Sequence, residues 1–296
     1  MCHDEALMNN LKPNALLTAG LTLLALFAFA ANSIFARLAL GEPSIDPASY
    51  TTMRLLTGAL TLWVIARCRR TDAADVTGAS QSSWTAAAML FLYAATFSFA
   101  YISLTTGTGA LILFAAVQIT MITVGLYAGE RPSALHWFGL GIAIAGLVYL
   151  VSPGVTAPST LGSLLMGTAG IGWGAYSILG RKVTNPIQAT AENFLRTIPL
   201  TLMVFVFSWS SITITAQGMI WASLSGSISS AVGYAIWYAA LPGLTASLAA
   251  TVQLVVPVLA ALGGAAFLSE SITLRLILSG IVILTGVGMA ICGRKK

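Results

Sequence analysis

Apolar stretches of membrane-spanning length follow one another along almost the whole chain, with hardly a polar surface between them. Of 296 residues, 57% are hydrophobic and only 8% are charged, and the mean hydropathy is +0.88. A soluble domain of this size carries about 25% charged residues. A chain so poor in charge cannot build a solvated exterior, so its exterior has to face hydrocarbon. A helix that crosses a bilayer needs about 20 largely apolar residues. Divided at charge clusters, Pro and Gly, the chain gives ten such stretches: about 14–38, 48–66, 84–104, 107–128, 134–151, 160–180, 187–208, 217–240, 244–267 and 273–292. The loops between them are short and hold no soluble domain. A membrane barrel is excluded, because the apolar runs are twice strand length and do not alternate. The expected fold is an all-α integral membrane protein of ten transmembrane helices.

The formal net charge of +5 would suggest a nucleic-acid partner in a soluble protein. Here the distribution of Lys and Arg gives a different reason, so no nucleic acid is expected. With the N-terminus cytoplasmic, ten of the fourteen basic residues fall inside: Lys12, Arg67, Arg69, Arg70, Arg131, Arg181, Lys182, Arg294, Lys295 and Lys296. Arg37 and Arg275 fall outside, and Arg54 and Arg196 lie within spans. This is the positive-inside bias of a chain with both termini inside. Cys2, Cys68 and Cys292 map to the cytoplasmic side, where disulfides are rare. His3 and His136 are the only histidines, and no CxxC or Cys/His cluster occurs, so no metal and no cofactor are expected. The first apolar run is too long for a cleaved signal and reads as a retained span.

The chain also repeats itself. Asn32-Ser33-Ile34-Phe35-Ala36-Arg37 at the end of span one matches Tyr176-Ser177-Ile178-Leu179-Gly180-Arg181 at the end of span six. Tyr101-Ile102-Ser103-Leu104 matches Tyr238-Ala239-Ala240-Leu241, and Gly129-Glu130-Arg131 matches Ser269-Glu270-Ser271. Three matches in the same order give a unit of five spans. The expected organisation is a tail 1–13, a first repeat 14–151, a linker 152–159, a second repeat 160–292 and a basic tail 293–296. Five is odd, so the second repeat crosses in the opposite sense. Two inverted five-helix repeats imply a pseudo-two-fold axis in the membrane plane, the geometry of a carrier that opens to either side in turn.

On these features the chain resembles the drug/metabolite transporter superfamily, in its EamA-type branch. The residues that carry the resemblance are Ser33-x-x-x-Arg37, Pro257-Val258 followed by Gly264…Glu270, and Gly280…Gly286-Val287. Within that branch it is most similar to the aromatic amino acid exporters. The resemblance implies a bacterial inner-membrane exporter with ten spans, cytoplasmic termini and a central cavity between the halves. One departure is Val117 in the first half, where the second has Pro257.

No phosphate-binding G-x-x-x-x-G-K-[ST] loop, H-E-x-x-H pair or G-x-S-x-G elbow occurs in a plausible context, so the chain reads as neither an ATPase nor another enzyme. The candidate substrate contacts are aromatic and amide side chains deep in the spans. They are Asn32, Phe97, Tyr101, Gln118, Trp173, Tyr176, Tyr234, Trp237 and Gln253, with Tyr93, Phe99 and Tyr238 on the same helices. Rings can stack on a planar solute or hold an ammonium over a face, and amides can bond its polar end. Packing, interfacial anchoring and interhelical hydrogen bonding are the competing roles. Gly170-x-Gly172-x-Gly174 can serve close packing or close approach to a ligand. Arg54, Glu192 and Arg196 are the intramembrane charges, and such charges are functional candidates. The i, i+4 spacing of Glu192 and Arg196 predicts an ion pair, while Arg54 has no local partner and can snorkel or meet a solute carboxylate. No acid or His lies near the midplane, which points to exchange or facilitated transport. The partners expected are an amino acid and membrane lipid, and a monomer is compatible with this reading. The alternatives are another metabolite or drug of the same superfamily, or a channel.

Overall fold

The computed structural model describes residues 15–41, 44–68, 82–127, 133–152, 154, 157–180, 183, 185–244 and 252–292. The described residues form ten helices. They are α1 (Ala15–Leu40), α2 (Pro47–Cys68), α3 (Trp84–Ala100), α4 (Thr106–Tyr127), α5 (Ala134–Val151), α6 (Thr160–Gly180), α7 (Pro186–Phe207), α8 (216–240), α9 (Val256–Leu268) and α10 (Leu274–Cys292). Helix α8 is composite. A π-helical segment, Ser225–Val232, separates α-helical Ala216–Leu224 from Gly233–Ala240. Helix starts are set by local chemistry. Ser83, Ser133, Asn185 and Thr215 each accept a hydrogen bond from an orphan backbone N–H in the first turn, and Pro186 opens α7.

Among the described residues, four helices are long and apolar enough to cross a membrane by length and composition: Ala15–Leu40, Thr106–Gly125, Ala134–Val151 and Ala216–Gly243. Three shorter apolar helices accompany them. Burial follows a membrane pattern. Leu16, Leu23, Leu24, Phe27, Leu60 and Phe138 are exposed, whereas Asn32, Thr51, Arg54, Ser98, Thr197 and Ser229 are buried. A bundle in water would reverse this distribution. Helices α2 and α7, which carry Arg54, Glu192 and Arg196, pack on each other.

The helix pairings are those that two related halves require. Exchanging helix n for helix n+5 converts α1–α8 into α3–α6, α1–α9 into α4–α6, and α2–α8 into α3–α7, and all of these contacts are present. The pairs α2–α7, α4–α9 and α5–α10 map onto themselves, and they too are present. The pattern is consistent with the inverted repeat expected from the sequence. The start of span nine, Glu130, Arg181 and both tails lie outside the described residues.

Small residues set the closest approaches. A Cβ on Gly286 would stand 2.5 Å from Ala143 N and 2.6 Å from the Gly139 carbonyl, so α5 and α10 meet backbone to backbone. The glycines of span six serve the same purpose: Gly170 and Gly174 lie against α4, and Gly172 lies against the backbone of Met89 and Tyr93. Of the two roles open to them, they fill the packing one.

Candidate functional site

A cavity of about 30 Å³ lies in the middle of the bundle, bounded by Phe29, Asn32, Ser33, Tyr93, Phe97, Leu113, Phe114, Trp173, Ser229, Ser230 and Tyr234. These residues come from α1, α3, α4, α6 and α8, so both halves contribute. The volume holds about two water molecules.

One wall is aromatic. The Trp173 ring centroid lies 5.1 Å from those of Tyr93 and Tyr234 and 5.7 Å from that of Tyr176. The series continues from Tyr93 to Phe97 at 5.5 Å, and from Phe97 to Tyr101 at 4.7 Å. On the other side, Phe29 meets Tyr234 and Trp237 edge-on.

The second wall is polar and directional. Tyr50 Oη donates to Ser225 Oγ (2.8 Å), Ser225 Oγ donates to Asn32 Oδ1 (2.7 Å), and Asn32 Nδ2 donates to Tyr93 Oη (3.1 Å). Arg54 lies behind this wall, 1% exposed. Its Nη2 donates to Tyr93 Oη at 2.9 Å and its Nε to Ser230 Oγ at 3.3 Å. The guanidinium carbon lies 5.0 Å and 4.8 Å from the ring centroids of Tyr93 and Phe97. Its Nη1 has no hydrogen-bond partner among the described residues, and neither does Ser229 Oγ. No carboxylate among the described residues pairs with Arg54. It does not snorkel.

One end of the bundle is latched. Arg37 Nε donates to Glu270 Oε1 at 3.2 Å, and Arg37 Nη1 donates to the Tyr101 carbonyl at 2.8 Å. The second oxygen of Glu270 accepts from Thr106 N at 2.8 Å. Ser269, in the left-handed region at φ 53°, ends α9 and aims Glu270 back at α1 and α4. This is the one ion pair among the described residues, and it ties the first repeat to the second.

The sequence candidates divide accordingly. Asn32, Phe97, Trp173 and Tyr234 line the cavity. Tyr101, Tyr176 and Trp237 stand one ring behind it, the first with its Oη 3.2 Å from the Thr106 carbonyl. Gln118 is buried in α4 and Gln253 is half-buried before α9, and neither borders the cavity. The Glu192–Arg196 ion pair does not form. Glu192 accepts from Ser82 Oγ (2.5 Å) and Gln188 Nε2 (2.8 Å), whereas Arg196 lies over the Trp84 ring at 6.0 Å. Ser82, just before α3, reaches Glu192 with its hydroxyl, and Trp84 at the start of α3 presents its ring to Arg196. Sequence reasoning missed Phe29, Leu113, Phe114, Ser229 and Ser230 as wall residues. The run Ser225-Gly226-Ser227-Ile228-Ser229-Ser230, polar in the middle of an apolar span, was the signal for the last two. Among the described residues no group of His, Cys, Asp or Glu could hold a metal, and Cys68 and Cys292 are exposed thiols.

A bundle with an apolar exterior, matched halves and a small cavity at their junction has the form of a membrane carrier. The chain belongs to the EamA-like transporter family, which matches residues 160–292, the stretch from the start of α6 to the end of α10. It is therefore a multi-pass membrane protein of a transporter family. An uncharacterized protein of Pseudomonas aeruginosa is 44% identical over 274 residues, covering 93% of this chain and 94% of its own. An uncharacterized transporter of Archaeoglobus fulgidus is 27% identical over 283 residues, covering 89% and 93%. A protein crystal structure of 17% identity shares the fold with a TM-score of 0.65, over 94% of this chain and 99% of that one.

Proposed function

We propose that the chain is a secondary transporter that exports small amphipathic metabolites, aromatic and other apolar amino acids first among them, across a bacterial inner membrane. Both termini are cytoplasmic in this reading. The Arg37–Glu270 end faces outward, and the two repeats rock about the central cavity in alternating access. The observation that carries the reading is the small cavity between the halves, lined by rings on one side and by an amide and hydroxyls on the other. Rings suit a planar apolar side chain, and hydroxyls suit its polar end. A solute can drive such a cycle only if it binds the two states differently. With no acid or His among the residues around the cavity, the solute gradient supplies the drive. Another solute of the superfamily is the alternative.

The test is counterflow of labelled L-phenylalanine in proteoliposomes of the purified protein. Flux that saturates and accelerates against internal unlabelled solute supports the carrier, and flux linear in concentration indicates a pore. Trp173→Ala should weaken apparent affinity about 2-fold to 10-fold, the value of one aromatic contact. Asn32→Ala should also cut transport while the protein still folds. Unchanged transport in both variants removes the cavity from the path.

A further inference from the structure

The buried charge of Arg54 identifies which end of a solute the polar wall takes. A guanidinium removed from water without an anion costs several kcal/mol, and apolar packing of similar volume is often as stable or more so. Two rings and two hydroxyl oxygens offset part of that cost, but none of them carries a negative charge.

The hydrogen-bond directions show where the charge is felt. Tyr93 Oη accepts from both Arg54 Nη2 and Asn32 Nδ2. Its own proton must therefore point elsewhere, and Tyr93 borders the cavity. Ser230 Oγ accepts from Arg54 Nε, which leaves its proton free to point the same way. Ser229 Oγ, on the same wall, is buried and without a hydrogen-bond partner among the described residues. The π-helical segment brings these two serines to the wall. It can lie against α2 because residue 226 is glycine: a Cβ there would stand 2.2 Å from the Arg54 carbonyl.

We infer that Tyr93, Ser229 and Ser230, backed by Arg54, form an anion subsite that takes the carboxylate of a monocarboxylic solute. This deepens the transport reading above and rests on it. One carboxylate neutralises one guanidinium, and its two oxygens can accept all three hydroxyl protons. The aromatic wall of Trp173 and Tyr234 then meets the rest of the solute. A phosphomonoester carries up to two charges and would leave one unmatched. The assignment makes the carboxylate the group that is read, with an α-amino group tolerated.

The experiment is competition against saturable L-phenylalanine counterflow by 3-phenylpropanoate, its methyl ester, phenethylamine and phenyl phosphate. The acid should compete, and the ester, amine and phosphate should each compete about 10-fold to 100-fold more weakly, as expected for losing hydrogen bonds to a charged group. In Tyr93→Phe and Ser229→Ala the advantage of acid over ester should shrink at least several-fold. Arg54→Met should abolish that advantage. Should Arg54→Met fail to fold, the wild-type panel and Ser229→Ala still decide. Equal competition by amine or ester overturns the subsite while leaving the carrier in place. Stronger competition by phenyl phosphate overturns the choice of carboxylate. If L-phenylalanine counterflow does not saturate and no probe binds the purified protein, the carrier reading falls and the subsite with it.

Discussion

Two arginines of the first repeat sit in opposite electrostatic settings. Arg37, at the latched end, is 19% exposed and meets Glu270 from the other half. Arg54, at the cavity, is 1% exposed and meets only hydroxyls and rings. The first is a closed electrostatic circuit whose carboxylate also holds the Thr106 backbone. The second has no carboxylate beside it among the described residues. Coulombic pairing therefore holds the chain together at one level of the bundle and leaves a charge available at another.

The contrast can be broken most sharply at Arg54. Arg54→Met should reduce transport by about 100-fold, the loss of charge-assisted bonding to a solute, without lowering the melting temperature. A fall in melting temperature that matches the loss of transport would make Arg54 a structural residue and end the comparison. Arg37→Met should do the reverse. It strands Glu270 at a partly buried position and should destabilise by about 1–3 kcal/mol, read as a melting temperature several degrees lower. The double variant Arg37→Met/Glu270→Met should recover to within about 1 kcal/mol of the parent, because no lone charge is left. The smallest effect belongs to the exterior. Leu24→Ala, on the exposed face of α1, should change thermal stability by less than about 0.5 kcal/mol and leave transport unaltered.

Hydropathy made the fold legible. The ten stretches read from the sequence overlap the ten helices of the described residues, the start of the ninth lying outside them, as expected where a bilayer sets the length of an apolar element. The site was legible by depth and illegible by direction. Asn32, Phe97, Trp173 and Tyr234 face the cavity, whereas Gln118 and Gln253, at similar depths, do not border it. Lipid and core are equally apolar, so periodicity does not show which side of a span looks inward. Pairwise geometry was harder still. Glu192 and Arg196 have ideal spacing, yet Ser82 before α3 bonds to one and Trp84 at its start meets the other. The polar run Ser225–Ser230 marks Ser229 and Ser230 as unusual, but the helix irregularity that goes with their place at the cavity is not written in composition.

That irregularity sets the phase of everything after it. A π-bulge adds a residue to a turn, so each side chain beyond Val232 is displaced by about 100° from its place on an unbroken α-helix. Tyr234, which faces Trp173, and Trp237, which faces Phe29, both lie beyond that offset. Removing one residue between 225 and 232 would keep the span long enough for the bilayer but swing both rings out of the stack. In this stretch a one-residue gap would alter recognition while leaving the architecture intact.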